Sequence, residues 1–488
     1  MANHIFSRRD LEEIFQRVVG LTLGEVDSNN VFRKTLVNPK VTGIAGDVVE
    51  QSILGYPADN KQEADLVVDG EKVELKTTGL KRAKKGKSIL EAKEPMSITA
   101  VSPNRIVNEV FRESALMHKL ERMLLVYYLY DSDETVEASE YARFPIQSYQ
   151  FHSFSEDDLE IIQNDWELVR DFIRDAIDEC DDPTIRYPEI SKLRESMLYM
   201  DTAPKYPNPP RFRLKRSVVS TIAQKHLGMD FEVLDGKKIR GYTDLYEILH
   251  AFTMKYREKC LEYIVADLGF ELKRCPMGFV SKSVTERVLT AAFGAQSGHL
   301  KDIEIFAKVG IMPKTITISP SGARTEDTKL DPIDFNEWTD SSICFEDSKV
   351  YNYFANQTML FSIFQEPHIK SSLEKNLFMG FKRLTFSDEF INTHVKSTWD
   401  KVRELVNSNS LVISEKISKY GSPRINRVGT KVEATNFPKA KDYVIFLRGT
   451  GQDSTNKTLS INGFHMYPQN FWIKGKMLVE MLSRIDFI

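Results

Sequence analysis

The sequence lacks three features that would place it in a specialised class of protein. Its few cysteines are too widely spaced for a zinc site or a disulfide framework. No apolar run approaches the roughly 20 residues of a membrane-spanning helix, and the N-terminus MANHIFSRRDLEEIF contains no apolar signal core. The sequence therefore predicts a cytoplasmic protein with no membrane partner and with reduced thiols at Cys180, Cys260, Cys275 and Cys344.

An excess of charge of one sign is also missing. The formal net charge is −4 at pH 7, so no overall positive field points to nucleic acid, and only local basic runs can do so. The hydrophobic share of 41% and the charged share of 28% are typical of a soluble globular protein. A chain of 488 residues is too long to fold around one ordinary hydrophobic core, so two or more domains are expected.

The first 130 residues carry an α/β pattern. Hydrophobic periodicity predicts helices over 10–21 and 44–54. Strand-like runs at 65–68 and 72–77 flank Asp69–Gly70, a hairpin signal. Beyond them the pattern predicts a basic loop over 80–93, a strand near 96–101, a helix-to-strand unit over 113–130 and a helix over 157–177.

The predicted hairpin brings together residues that can hydrolyse a phosphodiester. Glu74 and Lys76 face the same side of one strand, because residues two apart on a strand do so. Asp65 on the partner strand completes a carboxylate pair able to hold Mg²⁺. Lys76 is placed to stabilise an attacking hydroxide, Glu50 to add a carboxylate and Lys119 to contact the scissile phosphate. The alternative is a solvated hairpin with an ordinary surface ion pair.

A basic run follows the hairpin at once. Beside a phosphodiester site it predicts non-specific, salt-dependent phosphate binding, and otherwise it is a solvated loop. Its members are Lys81, Arg82, Lys84, Lys85 and Lys87.

The second half of the chain repeats the first weakly but in order. DWELVRDFI at 165–173 resembles TWDKVRELV at 398–406, and RFRLKRSVV at 211–219 resembles NFWIKGKML at 470–478. LERML at 120–124 is similar to LEKNL at 373–377, and EKVELKT at 71–77 to KVGIMPKT at 308–315. Four such pairs in one chain order predict a duplicated domain, divided into residues 1–232 and 233–488 at a polar, glycine-containing segment.

The string GDVVEQSILG…EADLVVDGEKVELKTT, followed by HKLERML, resembles the MutH/Sau-type endonucleases. This family contains the mismatch-repair nicking enzyme MutH and type II restriction enzymes that cut at GATC. The resemblance covers roughly residues 10–225 and implies an α/β, restriction-endonuclease-like PD-(D/E)xK fold. It implies that Asp65 and Glu74 are Mg²⁺ ligands, Lys76 the catalytic lysine, Glu50 an additional acid and Lys119 a lysine near the phosphate.

The resemblance also implies a DNA-reading region further along the chain. The loop containing Thr202, Pro204 and Lys205 would read base edges. Arg213 lies where the nicking enzyme has a tyrosine that senses adenine methylation, so methylation sensing is in doubt. Lys205 and Arg213 are each candidates for guanine in the major groove, and Lys215 for a DNA contact. The alternative is a phosphate contact or plain surface charge.

Compared with the residue pattern of this family, the second half lacks an acid at the position of Glu74. Met312 falls at the position of Glu74, Lys314 at that of Lys76 and Ser372 at that of Lys119. The second half is therefore expected to be a non-catalytic domain that binds a second DNA site and activates cleavage, as in Sau-type enzymes. A domain retained only for stability is the alternative. Its candidate DNA contacts are Arg448, Trp472 and Lys474.

These observations predict a type II restriction endonuclease that cuts double-stranded DNA with Mg²⁺, at a site that the resemblance gives as GATC. DNA-induced dimerisation is a further expectation. Two alternatives stay open: a mismatch-repair-type nicking enzyme and a non-enzymatic, site-specific DNA-binding protein. The first would nick hemimethylated DNA without duplex breaks, and the second would bind DNA with no product under any divalent ion.

Overall fold

The computed structural model describes residues 4–39, 41–56, 64–83, 88–132, 135–274, 278–324, 326–418, 420–426, 429–451 and 457–488. The chain forms two compact units. The first contains Met1–Ile248 and Thr290–Ile311, and the second contains Leu249–Leu289 and Met312–Ile488. Residues 233–248 and 290–311 thus group with the first unit, whereas the sequence predicts two continuous domains that meet near residue 232.

The first unit contains two sheets. Its strands are β1 (Ile5–Phe6), β2 (Leu66–Val68), β3 (Glu71–Arg82), β4 (Leu90–Ala92), β5 (Met96–Ala100), β6 (Met123–Leu129), β7 (Ile146–His152), β8 (Met200–Ala203) and β9 (Arg211–Leu214). The larger sheet has the order β1-β2-β3-β6-β7, and β4 pairs with β3; the smaller has the order β5-β9-β8. All seven residues of β6 are buried, as expected for a strand covered on both faces.

Helices cover these sheets and link their strands. In chain order the helices of this part of the chain are α1 (Arg8–Val18), α2 (Lys34–Val37), α3 (Ile44–Val48), α4 (Pro103–Ile106), α5 (Ala115–Leu120), α6 (Glu156–Glu179), α7 (Arg216–His226), α8 (Tyr242–Tyr256), α9 (Leu261–Asp267), α10 (Ser283–Ala292) and α11 (Glu304–Val309). Of these, α9 belongs to the second unit, and α8 and α10 each contain residues of both units. A π-helical turn, Val49–Ile53, continues α3. Ser7 and Asp10 form a capping box that starts α1, which fixes its first turn.

Among the described residues of the predicted basic loop, both ends are strands. β3 continues to Arg82 and pairs antiparallel with β4, from Leu80 opposite Ala92 to Arg82 opposite Leu90. Leu80, Leu90 and Ala92 are buried, so the hairpin has an apolar face among its cations. Burial of that face in the tertiary structure favours the sheet over a solvated loop.

The second unit contains two three-stranded sheets and two separate strand pairs. Its main strands are β10 (Met312–Ile318), β11 (Thr328–Pro332), β12 (Met359–Gln365), β13 (Leu377–Leu384), β14 (Ile413–Glu415), β15 (Glu433–Thr435), β16 (Ile445–Gly449), β17 (Leu459–Ile461), β18 (Phe464–Met466) and β19 (Gln469–Ile473). Three-stranded sheets have the orders β10-β12-β13 and β11-β19-β16, and β14–β15 and β17–β18 form separate pairs. Its later helices are α12 (Phe335–Thr339), α13 (Lys349–Asn356), α14 (Asp388–Phe390), α15 (Lys396–Asn407) and α16 (Gly475–Ser483).

Each unit has its own apolar core. Phe15, Leu75 and Val126 belong to the core of the first unit, and Phe361, Trp399 and Phe471 to that of the second. Among the described residues, no helix is both long and apolar enough to cross a membrane.

Candidate active site

The hairpin of β2 and β3 positions the first acid of the site. The turn residues Asp69 and Gly70 both have positive φ, 49° and 87°, the conformation that an Asp–Gly hairpin turn requires. The turn sets Leu66 opposite Val73, which brings Asp65, directly before β2, beside Glu74. The Leu75 amide donates to Oδ2 of Asp65 at 3.0 Å, so the carboxylate is held against β3.

Glu74 lies at the centre of the cluster. Its side chain is buried, and its Oε1 accepts hydrogen bonds from Nζ of Lys76 at 2.5 Å and from Nζ of Lys119 at 2.8 Å. Oε2 is buried and accepts no hydrogen bond from any described residue. A buried carboxylate oxygen without a donor is costly unless another group binds it.

The second lysine reaches the cluster from a separate helix. Ser114 caps α5 by accepting a hydrogen bond from the Met117 amide. Leu116, Met117 and Leu120 are buried, which anchors the helix and directs Lys119, in its last turn, towards Glu74.

The electrostatics of the cluster reflect two acids in close proximity. Burial raises the pKa of the Asp65 carboxyl above its ordinary value, and the negative charge of Glu74 raises it further. The charges of Lys76 and Lys119 and the Leu75 amide act in the opposite direction. Two carboxylates that repel each other beside two lysines form a site that a cation would stabilise.

The donor atoms of this cluster fit a hard divalent cation. Asp65 and the unbonded Oε2 of Glu74 supply carboxylate oxygens, and Mg²⁺ is commonly bound by one or two carboxylates while it keeps several waters. Among the described residues, no group of three or more His, Cys, Asp or Glu residues has the geometry of a metal site. Glu50 lies on the π-helical turn after α3, and its role as an additional acidic ligand stays a prediction.

Residues 54–165 match the family model of the DNA mismatch repair enzyme MutH. The match supports a MutH-like DNA endonuclease with a restriction-endonuclease-like fold in this part of the chain. Asp65, Glu74, Lys76 and Lys119 all lie in the MutH-like segment, whereas Glu50 precedes it. No curated protein matches the chain.

The basic run lies at the far end of β3 in the MutH-like segment. Lys81 and Arg82 are on the strand itself, and Nε of Arg82 is 3.7 Å from Oδ1 of Asp131. Lys84, Lys85 and Lys87 lie outside the described residues. Lys81 and Arg82 thus remain candidates for phosphate contacts, on a more ordered element than the sequence predicts.

Several predicted DNA contacts beyond the MutH-like segment make internal contacts instead. Thr202 is buried and donates to the Ile190 carbonyl at 3.1 Å. Lys215 is buried, with Nζ 2.6 Å from the Met197 carbonyl. Neither side chain is accessible to DNA in this structure, because both are buried and donate to backbone carbonyls of their own unit.

The remaining predicted contacts of this region are more accessible. Pro204 and Lys205 lie in the exposed loop between β8 and β9. Arg213 on β9 is half-buried, and its Nε donates to Oδ1 of Asp201 at 2.6 Å. Arg213 could therefore contact a base only if it weakened or broke its bond to the buried Asp201 carboxylate.

In the second unit, the three predicted contacts lie along β16 and β19. Arg448 donates to Oδ2 of Asp327 at 2.7 Å and lies over the Trp472 ring, 4.6 Å from its centroid. Lys474 is the N-cap residue of α16. Ser372 precedes a 3₁₀ turn that leads into β13, and it is not on a helix placed as α5 is, so its pairing with Lys119 is wrong.

The structure adds one residue that the sequence did not suggest. Nδ1 of His4 is 2.9 Å from the Asp65 carbonyl oxygen, and its ring stacks on Tyr56 with centroids 4.1 Å apart. The His4 carbonyl accepts from the Val67 amide at 2.8 Å. His4 lies 61 residues before Asp65, so no local pattern could have linked them.

Proposed function

We propose that this protein is a Mg²⁺-dependent type II restriction endonuclease that cuts double-stranded DNA at a short site, GATC by the sequence resemblance. The observation that carries the proposal is the buried Glu74 carboxylate, with one oxygen shared by two lysines and the other without a donor among the described residues. Because Glu74 lies in the segment that matches the MutH model, we expect the substrate of the reaction to be DNA.

In this proposal, each side chain has one task at the scissile phosphate. Asp65 and Glu74 would hold Mg²⁺, which when bound polarises the phosphoryl oxygen and acidifies its water. Lys76 would orient and stabilise the attacking hydroxide. Lys119, which donates to the same Glu74 oxygen from a separate helix, would neutralise charge that develops on the phosphate. Burial around Glu74 strengthens these interactions because water screens them less.

The second unit is proposed to be a duplicated, non-catalytic copy. The order of strands supports this: β3 pairs in parallel with β6 and β6 antiparallel with β7, and β10, β12 and β13 pair in the same senses. The smaller sheets agree too, with antiparallel neighbours β5-β9-β8 and β11-β19-β16. Chance convergence of both sheets in one chain order is improbable.

Equivalent side-chain contacts support the same correspondence. Ser114 and Ser348 each cap a helix that leads into the central strand. The rings of Phe111 and Trp166 are 5.8 Å apart, and those of Phe345 and Trp399 are 5.4 Å apart. Arg170 and Arg403 lie over the respective tryptophans, as the repeated Trp-x-x-x-Arg pattern would require.

The correspondence also identifies what the second unit lacks. The Glu74 amide donates to the Arg122 carbonyl, and the Met312 amide donates to the Thr358 carbonyl, both at 2.9 Å. In this proposal Met312 takes the place of Glu74, and Ala355, three residues before Thr358 as Lys119 is before Arg122, takes that of Lys119. A site without both groups cannot perform the proposed chemistry. We therefore propose a non-catalytic role for this unit, and the sequence resemblance suggests that it binds a second DNA site and activates cleavage.

Digestion of a mapped plasmid with Mg²⁺, followed by sequencing of the ends, tests activity, site and stagger together. We expect duplex breaks at one short sequence. Adding an oligonucleotide with that sequence should raise the cleavage rate if the second unit is an effector, and sedimentation with the same oligonucleotide would detect DNA-induced dimerisation. An intact plasmid with Mg²⁺ present would contradict the proposal.

A mismatch-repair nicking enzyme is the second candidate, because the matching family model is that of a mismatch repair enzyme. It predicts nicks in one strand of hemimethylated DNA and no linear product. The same digestion, with hemimethylated and fully methylated plasmids, distinguishes the two.

The contact from His4 to the Asp65 carbonyl leads to a prediction about metal affinity. We expect His4→Ala to raise the Mg²⁺ concentration for half-maximal cleavage by about 10-fold, because groups that hold a metal ligand in place commonly tune affinity by that factor. The rate at saturating Mg²⁺ should change far less. Initial cleavage rates over a Mg²⁺ titration would measure both.

Two variants control this experiment. His4→Asn keeps a donor near the carbonyl and should recover part of the Mg²⁺ affinity. His250 is exposed on α8, and His250→Ala should match the wild type. An unchanged Mg²⁺ dependence in His4→Ala would show that this contact has no role in holding Asp65.

A further inference from the structure

The segment between α15 and β16 in the second unit, which we call the arm, contains its own paired strands. Its base is the antiparallel pair β14–β15. Further out, the Lys416 amide donates to the Val432 carbonyl at 2.7 Å, the Arg424 amide to the Lys416 carbonyl at 2.7 Å, and the Val432 amide to the Arg424 carbonyl at 2.8 Å. Three backbone segments therefore hold one another in a fixed arrangement. In the first unit, the connection between α6 and β8 contains 3₁₀ turns and no strand.

The arm and its base concentrate uncompensated positive charge. Lys416, Arg424 and Lys439 form no ion pair with any described residue. The acids nearby are already paired: Glu415 with Lys431, Glu433 with Lys457, and Asp442 with Lys441. Like charges held together without counter-charges destabilise a fold, so a bound anion would relieve the cost.

The lowered pKa of Lys439 indicates that other cations lie close to it. Partial burial lowers the pKa of Lys439, and the positive charges of Lys416 and Lys441 lower it further. Lys416 on the arm and Lys439 at its base are thus close enough to repel each other, which makes them parts of one surface.

The same arm exposes large apolar side chains. Tyr420 is 82% exposed, Ile417 56% and Ile425 55%. Ile417 and Ile425 directly follow Lys416 and Arg424 on the paired segments, so they face the other side of the arm, whereas Tyr420 lies in the turn after Ile417. Exposed apolar side chains of this kind are typical of surfaces that bind a partner. Duplex DNA is one such partner, because phosphates flank grooves lined by sugars and base edges.

We infer that the described residues of the arm, 411–418, 420–426 and 429–436, together with Lys439, form a contact surface for duplex DNA, with Lys416, Arg424 and Lys439 on phosphates and Tyr420 against the groove wall. The inference rests on the proposed function, which makes duplex DNA the ligand of this protein. It adds a surface that the first unit lacks and that lies apart in sequence from Arg448, Trp472 and Lys474.

The salt dependence of DNA binding tests the arm directly. Fluorescence anisotropy of a labelled duplex, measured on the full chain in EDTA over a range of salt, gives the slope of log K against log salt. Each phosphate contact contributes about 0.9 to that slope, so the triple variant Lys416→Ala/Arg424→Ala/Lys439→Ala should lower it by about 2 to 3. Tyr420→Ala should weaken binding at every salt concentration without changing the slope.

A matched triple variant controls for loss of net charge. Lys273, Lys282 and Lys370 are exposed in the second unit, and replacing all three with alanine removes the same charge from other elements. This control should keep the wild-type slope. Circular dichroism and thermal melting would establish that both triple variants are folded.

The outcomes separate this inference from the proposed function. If the wild type cuts plasmid with Mg²⁺ but the arm variant keeps the wild-type slope, the inference is overturned alone. If the wild type cuts no DNA, the proposed function fails, whatever the slopes. If the arm variant loses binding to poly-glutamate and not to the duplex, the arm serves an acidic protein partner, and the inference is wrong.

Discussion

Glu74→Ala is expected to abolish Mg²⁺-dependent cleavage, lowering the rate by at least about 10²- to 10³-fold, while DNA binding persists. The carboxylate is the shared partner of Lys76 and Lys119 and carries the oxygen that no described donor reaches. Its loss removes a cation ligand and the charge that positions both lysines, and losing even one such stabilising group costs that much in other enzymes. Single-turnover cleavage of a labelled duplex would measure the effect.

Lys76→Ala should have an effect of similar size, because its amine would stabilise the attacking hydroxide. Glu71 provides the matched control: it lies on the same strand, is exposed and pairs with Arg122 at 3.0 Å. Glu71→Ala should cut normally. Because Glu74→Ala leaves two lysines in a buried site without their partner, Glu74→Gln is the milder companion variant. Full cleavage by Lys76→Ala or by both Glu74 variants would end the assignment.

Asp165→Ala is expected to lower the free energy of unfolding by about 3–5 kcal/mol, the range for removing one member of a buried charged network. Asp165 is buried. Its Oδ1 accepts from the Leu198 amide at 2.8 Å, and its Oδ2 accepts from the amides of Tyr199 and Met200 at 2.8 and 2.9 Å. Alanine would leave three buried amides without an acceptor. Urea unfolding followed by circular dichroism would measure the loss.

The second unit offers a comparison for this variant. Thr398 precedes Trp399 as Asp165 precedes Trp166, and its Oγ1 donates to the Ile445 carbonyl at 2.6 Å. Thr398→Ala removes one hydrogen bond and should cost only about 1–2 kcal/mol. Equal losses for the two variants would contradict the role given to the Asp165 carboxylate.

The ionisation of Asp165 gives the same variant a pH signature. Burial raises the pKa of Asp165 to about 6, against the charge of Lys215 and three amides that lower it. The folded state then binds this proton more tightly than the unfolded chain does, so stability falls as pH rises from about 4 to about 6. The shift corresponds to about 3 kcal/mol, and Asp165→Asn should remove that slope.

Local patterns predicted the elements whose information is contiguous in the chain. Asp69–Gly70 identified the hairpin, and residues two apart on a strand placed Glu74 and Lys76 on one side. The repeated DWELVRDFI and TWDKVRELV strings marked helices whose Trp and Arg residues make equivalent contacts in both units. The sequence did not show which strands of the two units correspond. It paired residues 373–377 with 120–124, but 373–377 leads into β13 and not into the proposed counterpart of β6.

Burial was harder to predict than position. Thr202 and Lys215 have polar side chains that suggested DNA contacts, and both are buried with carbonyl partners. Leu80, Leu90 and Ala92 turned an expected basic loop into two paired strands. In each case contacts with residues eight or more positions away decided the outcome, and local sequence patterns do not reveal such contacts.

The sequence by itself determined that an acid, a second acid and an amine stand on two strands joined by a tight turn, because strand alternation and turn conformation depend only on neighbouring residues. Only the tertiary structure decided that Lys119 reaches Glu74 from a separate helix and that the His4 ring contacts the Asp65 carbonyl. Those placements depend on how helices pack against the sheet, which is settled by burial across the whole unit.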